Sequence, residues 1–156
     1  LSTICTPHHG SKAAAEWLGR ERICRLAGWG LEGFWRARGD RDPDFFAAAS
    51  ALTPEAMARF NEENPESPLV YYQSWGARLD RPGWDPMDRL QLWLTKADAP
   101  TDGLVSPDSA VWGHWRGTLE GVSHQDGAGG RRRKRPGFDA GEFYVRLVRE
   151  LAEMGF

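Results

Sequence analysis

A chain of 156 residues is long enough for one domain with a real core. Its net charge of −2 and pI near 6.1 give no global basic field, which argues against nucleic acid and phospholipid as general partners. No run approaches the ~18 apolar residues of a membrane span. Two cysteines set no disulfide framework, and Cys5 and Cys24 read as buried free thiols. Eight tryptophans are an excess that suits a core plus an apolar cleft or interface.

The chain opens in Leu1-Ser2-Thr3-Ile4-Cys5-Thr6, rich in β-branched residues and read as a buried strand. A single strand needs neighbours for its backbone groups, so the expectation is a piece of a longer domain, with any signal peptide upstream. Thr6 to Ser11 reads as a turn, in which His8 makes a stabilising hydrogen bond. Ser11 then caps a helix, and residues 12–27 are strong helix formers. Gly28 to Trp35 is glycine-spaced and aromatic with weak periodicity, and it reads as a loosely held excursion. Arg38-Gly39-Asp40 falls in a charged turn and is taken as a chance triplet.

Phe45–Leu52 has a short helical pattern, and Thr53-Pro54-Glu55 is a good helix start leading to an end near Asn64-Pro65. Leu69–Trp75 is the clearest strand, stopped by Gly76. Asp85-Pro86 starts another helix, with Met87, Leu90 and Leu94 on one face, although a strand through Leu90, Leu92 and Leu94 also fits. A short strand is expected around Thr118–Val122, and His114 reads as a surface or packing residue. Arg131–Arg135 lacks interleaved aromatics and reads as a solvated loop rather than a nucleic-acid signal. The last helix is capped by Asp139, carries Phe143, Leu147 and Leu151 on one face, and stops near Gly155.

Two loops carry chemistry. Thr101-Asp102-Gly103-Leu104-Val105-Ser106 offers an acid, and Gly121-Val122-Ser123-His124 offers a histidine. Taken singly, Asp102 caps an Asp-Gly turn and His124 is an ordinary loop residue. Together with Leu1–Ser11, the helix start at Leu52–Asn61 and the closing segment Phe138–Phe156, they make the chain resemble the α/β-hydrolase triacylglycerol lipases, both bacterial and fungal-like. The resemblance spans nearly the whole of residues 1–156. It departs from the group's pattern at His9, at Gln125 and in the Arg131–Arg135 run.

The resemblance implies an α/β fold, the C-terminal half of an α/β-hydrolase sheet with an inserted helical lid or cap over 12–66 and a basic surface loop over 127–137. It implies that Asp102 and His124 are the last two members of a Ser-Asp-His triad, in the chain order of that fold. The serine and the oxyanion hole would lie upstream, so this chain alone should be inactive. The implied substrate is a lipid ester, with no cofactor required and transient contact with a lipid interface. A structural calcium is a lesser option, with Asp126 as one ligand and Asp80 or Asp85 as another. No Cys or His spacing suggests zinc, and adjacent His8 and His9 diverge too far to share a metal. Trp29, Leu31, Phe34, Trp35, Phe45 and Phe46 would form the greasy face of a lid, or else simply pack beneath a long excursion. Two other functions stay open: an esterase or depolymerase for another acyl substrate, and a non-catalytic remnant that binds lipid or a partner.

Overall fold

The computed structural model describes residues 1–79, 100–129 and 137–156, and the backbone alone of 21–27. The expected helix from Asp85, the Arg131–Arg135 run, Asp80 and the side chain of Cys24 lie outside the described residues. Strands β1 (Ser2–Ile4), β2 (Gln73–Arg78) and β3 (His114–Glu120) form a parallel sheet in the order β1-β2-β3. Ser2 pairs with Gln73 and Ile4 with Trp75, and Gly76 pairs with Thr118. A register shift opposite Ser74 and Trp75 leaves Arg116 unpaired in the ladder, a bulge in β3.

The second strand corrects the sequence expectation. Leu69 to Tyr72 lie outside β2, and Leu69 is 93% exposed. The strand continues through Gly76 instead of stopping there. A Cβ at position 76 would sit 2.9 Å from Pro107 Cα and 2.8 Å from Trp115 Cη2, so glycine marks a close approach inside the strand. The third strand also begins earlier than expected, at His114, because Ser74 holds the chain just before it. Ser74 Oγ donates to Trp112 O and accepts from Trp112 N, both at 2.8 Å.

Between β1 and β2 stand four helices: α1 (Lys12–Gly19), α2 (Glu21–Arg36), α3 (Phe45–Ala51) and α4 (Pro54–Glu63). Ser11, Asp44 and Thr53 cap α1, α3 and α4 by accepting from Ala14 N, Ala47 N and Ala56 N. The expected excursion at Gly28–Trp35 is the second half of α2. Gly28 is buried, and a Cβ there would come within 3.3 Å of the Phe45 ring, so packing against α3 overrides the weak propensity of the glycines. The Arg-Gly-Asp triplet is exposed: the Arg38 guanidinium lies 3.8 Å from the Phe34 ring centroid, and Asp40 accepts from Asp42 N.

After β3 come a one-turn helix α5 (His124–Gly127) and the long α6 (Ala140–Glu153). Asp139 caps α6 as expected, and Phe143 and Leu147 bury against Trp75 of the sheet. Trp75 and Phe143 meet edge to face at 5.6 Å. A second cluster, Cys5, Ala77 and Val122, lies at the carboxyl ends of the strands. No helix among the described residues is long and apolar enough to cross a membrane.

Candidate active site

All three strands are parallel, so their carboxyl ends form one edge, the usual place for a ligand site in such sheets. Cys5 follows β1, Leu79 follows β2, and Val122 to His124 follow β3. The acid loop is fastened to this edge by Leu79 N, which donates to Thr101 O at 2.8 Å. Thr101 Oγ1 in turn donates to Val105 O and accepts from Gly103 N, which closes a tight turn around Asp102.

Asp102 is fully buried, with 0% of its surface exposed. Its Oδ1 accepts from Leu104 N at 2.9 Å and Val105 N at 2.8 Å. Its Oδ2 faces His124 Nδ1 at 2.9 Å. The turn-capping role and the partnership with histidine therefore coexist, one on each oxygen. The main chains are joined as well, His124 N donating to Asp102 O at 3.0 Å. These bonds place the imidazole with its Nδ1 edge inward, while the side chain remains 30% exposed. No described serine hydroxyl bonds the opposite, Nε2, edge.

His124 opens α5, and that short helix is held at both ends. Ser123 Oγ accepts from Asp126 N, while Asp126 Oδ2 accepts from Ser123 N at 3.1 Å and from Ser123 Oγ at 2.6 Å. This is a capping box, satisfying backbone donors at the helix start. The Ser-x-x-Asp spacing was its signal in the sequence. At the other end, Tyr144 Oη of α6 donates to Gly127 O at 2.8 Å. A Cβ on Gly127 would stand 2.7 Å from Cys5 Sγ, so β1 abuts α5 with no room for a side chain.

Asp126 is thus engaged as a helix cap. No group of three or more His, Cys, Asp or Glu able to hold a metal occurs among the described residues. Asp80 and Asp85, the expected partners of Asp126 in a calcium centre, lie outside them.

Cys5 is 2% exposed and has φ of 56°, the one non-glycine residue with positive φ among the described residues. Burial first, then the neighbouring Asp102 carboxylate, push its thiol well above the ordinary range. The burial of this free thiol was expected from the apolar Ile-Cys-Thr stretch; the nearness of Asp102 was not legible there. His8 bonds Thr3 Oγ1 through Nε2 at 2.9 Å and stacks on Trp112 at 5.0 Å. His8 O accepts from Asn61 Nδ2 of α4. Burial, followed by the charge of His9, lowers the His8 pKa below its ordinary value. His114 stands at the start of β3 with its ring near Tyr71.

Parallel strands, flanking helices and an acid and a histidine on carboxyl-edge loops define an α/β-hydrolase fold. The Bacillus licheniformis lipase BlEst2 in its mature form has a solved structure that matches with a TM-score of 0.53 and 19% identity, over 83% of this chain and 49% of that one. Over an alignment of 174 positions the chain is 28% identical to Triacylglycerol lipase 2 of Saccharomyces cerevisiae, covering all of this chain and 49% of the relative. No protein-family model matches. The chain spans about half the length of each of these two proteins, and its resemblance to the lipases holds along its length.

Proposed function

We propose that Asp102 and His124 are the acid and base of a serine carboxylic-ester hydrolase that acts on acylglycerols or similar lipid esters. The observation that carries this reading is the 2.9 Å bond from His124 Nδ1 to a fully buried Asp102, with the far edge of the ring free of any described serine. The fold and the two lipase relatives support it. The nucleophilic serine and the oxyanion donors come from outside residues 1–156.

In this reading His124 Nε2 accepts the serine proton as the hydroxyl attacks the ester carbonyl. It returns that proton to the departing alcohol, which leaves the acyl group on the serine; water, deprotonated by the same nitrogen, then displaces the serine, which recovers its proton. Asp102 keeps the Nδ1 proton in place and stabilises the imidazolium formed in between. Acid, base and hydroxyl suffice for this chemistry, so it takes no cofactor. The exposed aromatic side chains of α2 favour a lipid-facing role for the helical segment 12–66: Trp29 is 67% and Trp35 51% exposed. The same side chains support the second reading, a non-catalytic chain that adsorbs to lipid.

The test uses p-nitrophenyl esters of graded chain length. The chain alone should give no turnover. A longer protein that includes the preceding segment should be active, and His124→Ala or Asp102→Asn should lower its kcat by about 10³-fold or more. Turnover by the chain alone, lost in His124→Ala, would show that the nucleophile is within it. An inactive longer protein that still binds emulsions would favour the non-catalytic reading. The chain-length profile separates lipid esters from other acyl substrates.

A further inference from the structure

We propose that Ser11 is a positioning residue for the Asp102–His124 pair, and that it couples the helical segment to that pair through one peptide group of the acid loop. The proposal rests on the catalytic reading for its purpose, though not for its geometry.

Ser11 is buried at the junction of three parts of the molecule. Its N–H donates to Leu52 O, at the end of α3, at 2.7 Å. Its Oγ accepts from Ala14 N and so caps α1. That same Oγ donates to Leu104 O at 2.6 Å, across 93 residues of sequence. A helix cap needs only the accepting bond, so the donating bond requires another explanation.

Leu104 O belongs to the peptide group whose N–H is that of Val105. That N–H donates to Asp102 Oδ1 at 2.8 Å. One rigid, planar unit therefore has the Ser11 hydroxyl on its carbonyl and the Asp102 carboxylate on its amide. A hydrogen bond to the carbonyl polarises the unit and makes its N–H a better donor. It also fixes the plane of the peptide, which sets the direction of the N–H. Asp102 Oδ2 then meets His124 Nδ1 at 2.9 Å. The path from hydroxyl through peptide and carboxylate to imidazole is continuous. Ser109 adds a parallel fastening, its Oγ donating to Gly10 O next to Ser11. Displacement of the α1–α3 corner would pull on the Leu104 carbonyl and hence on the acid.

The experiment reads the chain in solution by two-dimensional NMR, with the exchange rate of the Val105 amide as the primary measurement and the His124 Nδ1–H resonance as the second. Ser11→Ala and Ser11→Gly should raise the Val105 exchange rate at least tenfold and remove the Nδ1–H signal by exchange with water. Ser11→Thr, which keeps the hydroxyl, should behave as the wild type. Thr53→Ala, which removes the cap of α4 and leaves Leu104 alone, should change neither. Glycine is a tolerated N-cap, so Ser11→Gly decides the matter if Ser11→Ala does not fold. The proposal is overturned if both Ser11 variants match Thr53→Ala, or if Ser11→Thr loses the signals too. No turnover is read, so failure of the catalytic reading would leave these results intact, and the reverse also holds.

Discussion

At Asp102 the two carboxylate oxygens have separate partners, two backbone amides on one side and an imidazole on the other. Asp102→Asn should keep the first set, with its amide oxygen in place of Oδ1, and turn an NH2 toward His124. Neutral His124 must then accept at Nδ1 and carry its proton on Nε2. Nitrogen chemical shifts of the imidazole should report that change of tautomer, with stability lowered by about 1–3 kcal/mol in urea unfolding. An unchanged tautomer would mean that the carboxylate does not set it. His8 gives a prediction in pH. Its folded pKa lies below the ordinary 6.5, chiefly through burial, so near that pH the unfolded chain binds more protons than the folded one. The stability it contributes is present above 6.5 and is lost as pH falls below that value. His8→Gln keeps a hydrogen-bonding partner for Thr3 but does not titrate. It should flatten the fall in unfolding free energy between pH 7 and 5.

At the scale of elements, helix boundaries were legible where the signals are local. Ser11, Thr53 and Asp139 each accept from the backbone N–H three residues ahead, a spacing readable from the sequence alone. Strand boundaries were less legible, because a strand ends where its partners end. Leu69 to Tyr72 have strand-forming side chains, yet only Tyr71 O and Tyr72 O bond the neighbouring chains, to Leu1 N and His114 N, and Gly76 stays in the ladder because Pro107 lies over it. The segment Gly28–Trp35 failed for a related reason, since its helicity comes from contact with α3. The contact between β1 and α5 gives a further prediction. Gly127→Ala should place a methyl against Cys5 Sγ and cost about 1–3 kcal/mol. Cys5→Ala in the same chain should recover part of that loss, so the double-mutant cycle in urea should show coupling of about 0.5 kcal/mol or more. Additive losses would mean that the two elements do not bear on each other there.

Across the whole molecule, the acid and the histidine were picked out by their loop motifs, Thr101-Asp102-Gly103-Leu104 and Gly121-Val122-Ser123-His124. Their meeting was implied by the resemblance alone; what brings it about, the parallel pairing of β2 with β3 and Leu79 fastening the acid loop, has no signal in the spacing. The long-range bond from Ser11 to Leu104 leaves no trace in sequence spacing. The helical segment also leaves Trp29, Phe34 and Trp35 exposed, more aromatic surface than a helix in water needs. Trp29→Glu with Trp35→Glu should weaken adsorption to a triacylglycerol emulsion, measured by sedimentation, while leaving the far-ultraviolet circular dichroism unchanged. Equal adsorption would place lipid contact elsewhere. The double tie between Asp102 and His124, one bond through main chain and one through side chain, also has a consequence in the language of tethered ligands. The main-chain bond presents the imidazole to the carboxylate at high effective concentration, so a lost side-chain contact re-forms as an intramolecular event. The pair behaves as a bivalent clasp, able to open at one point without coming apart.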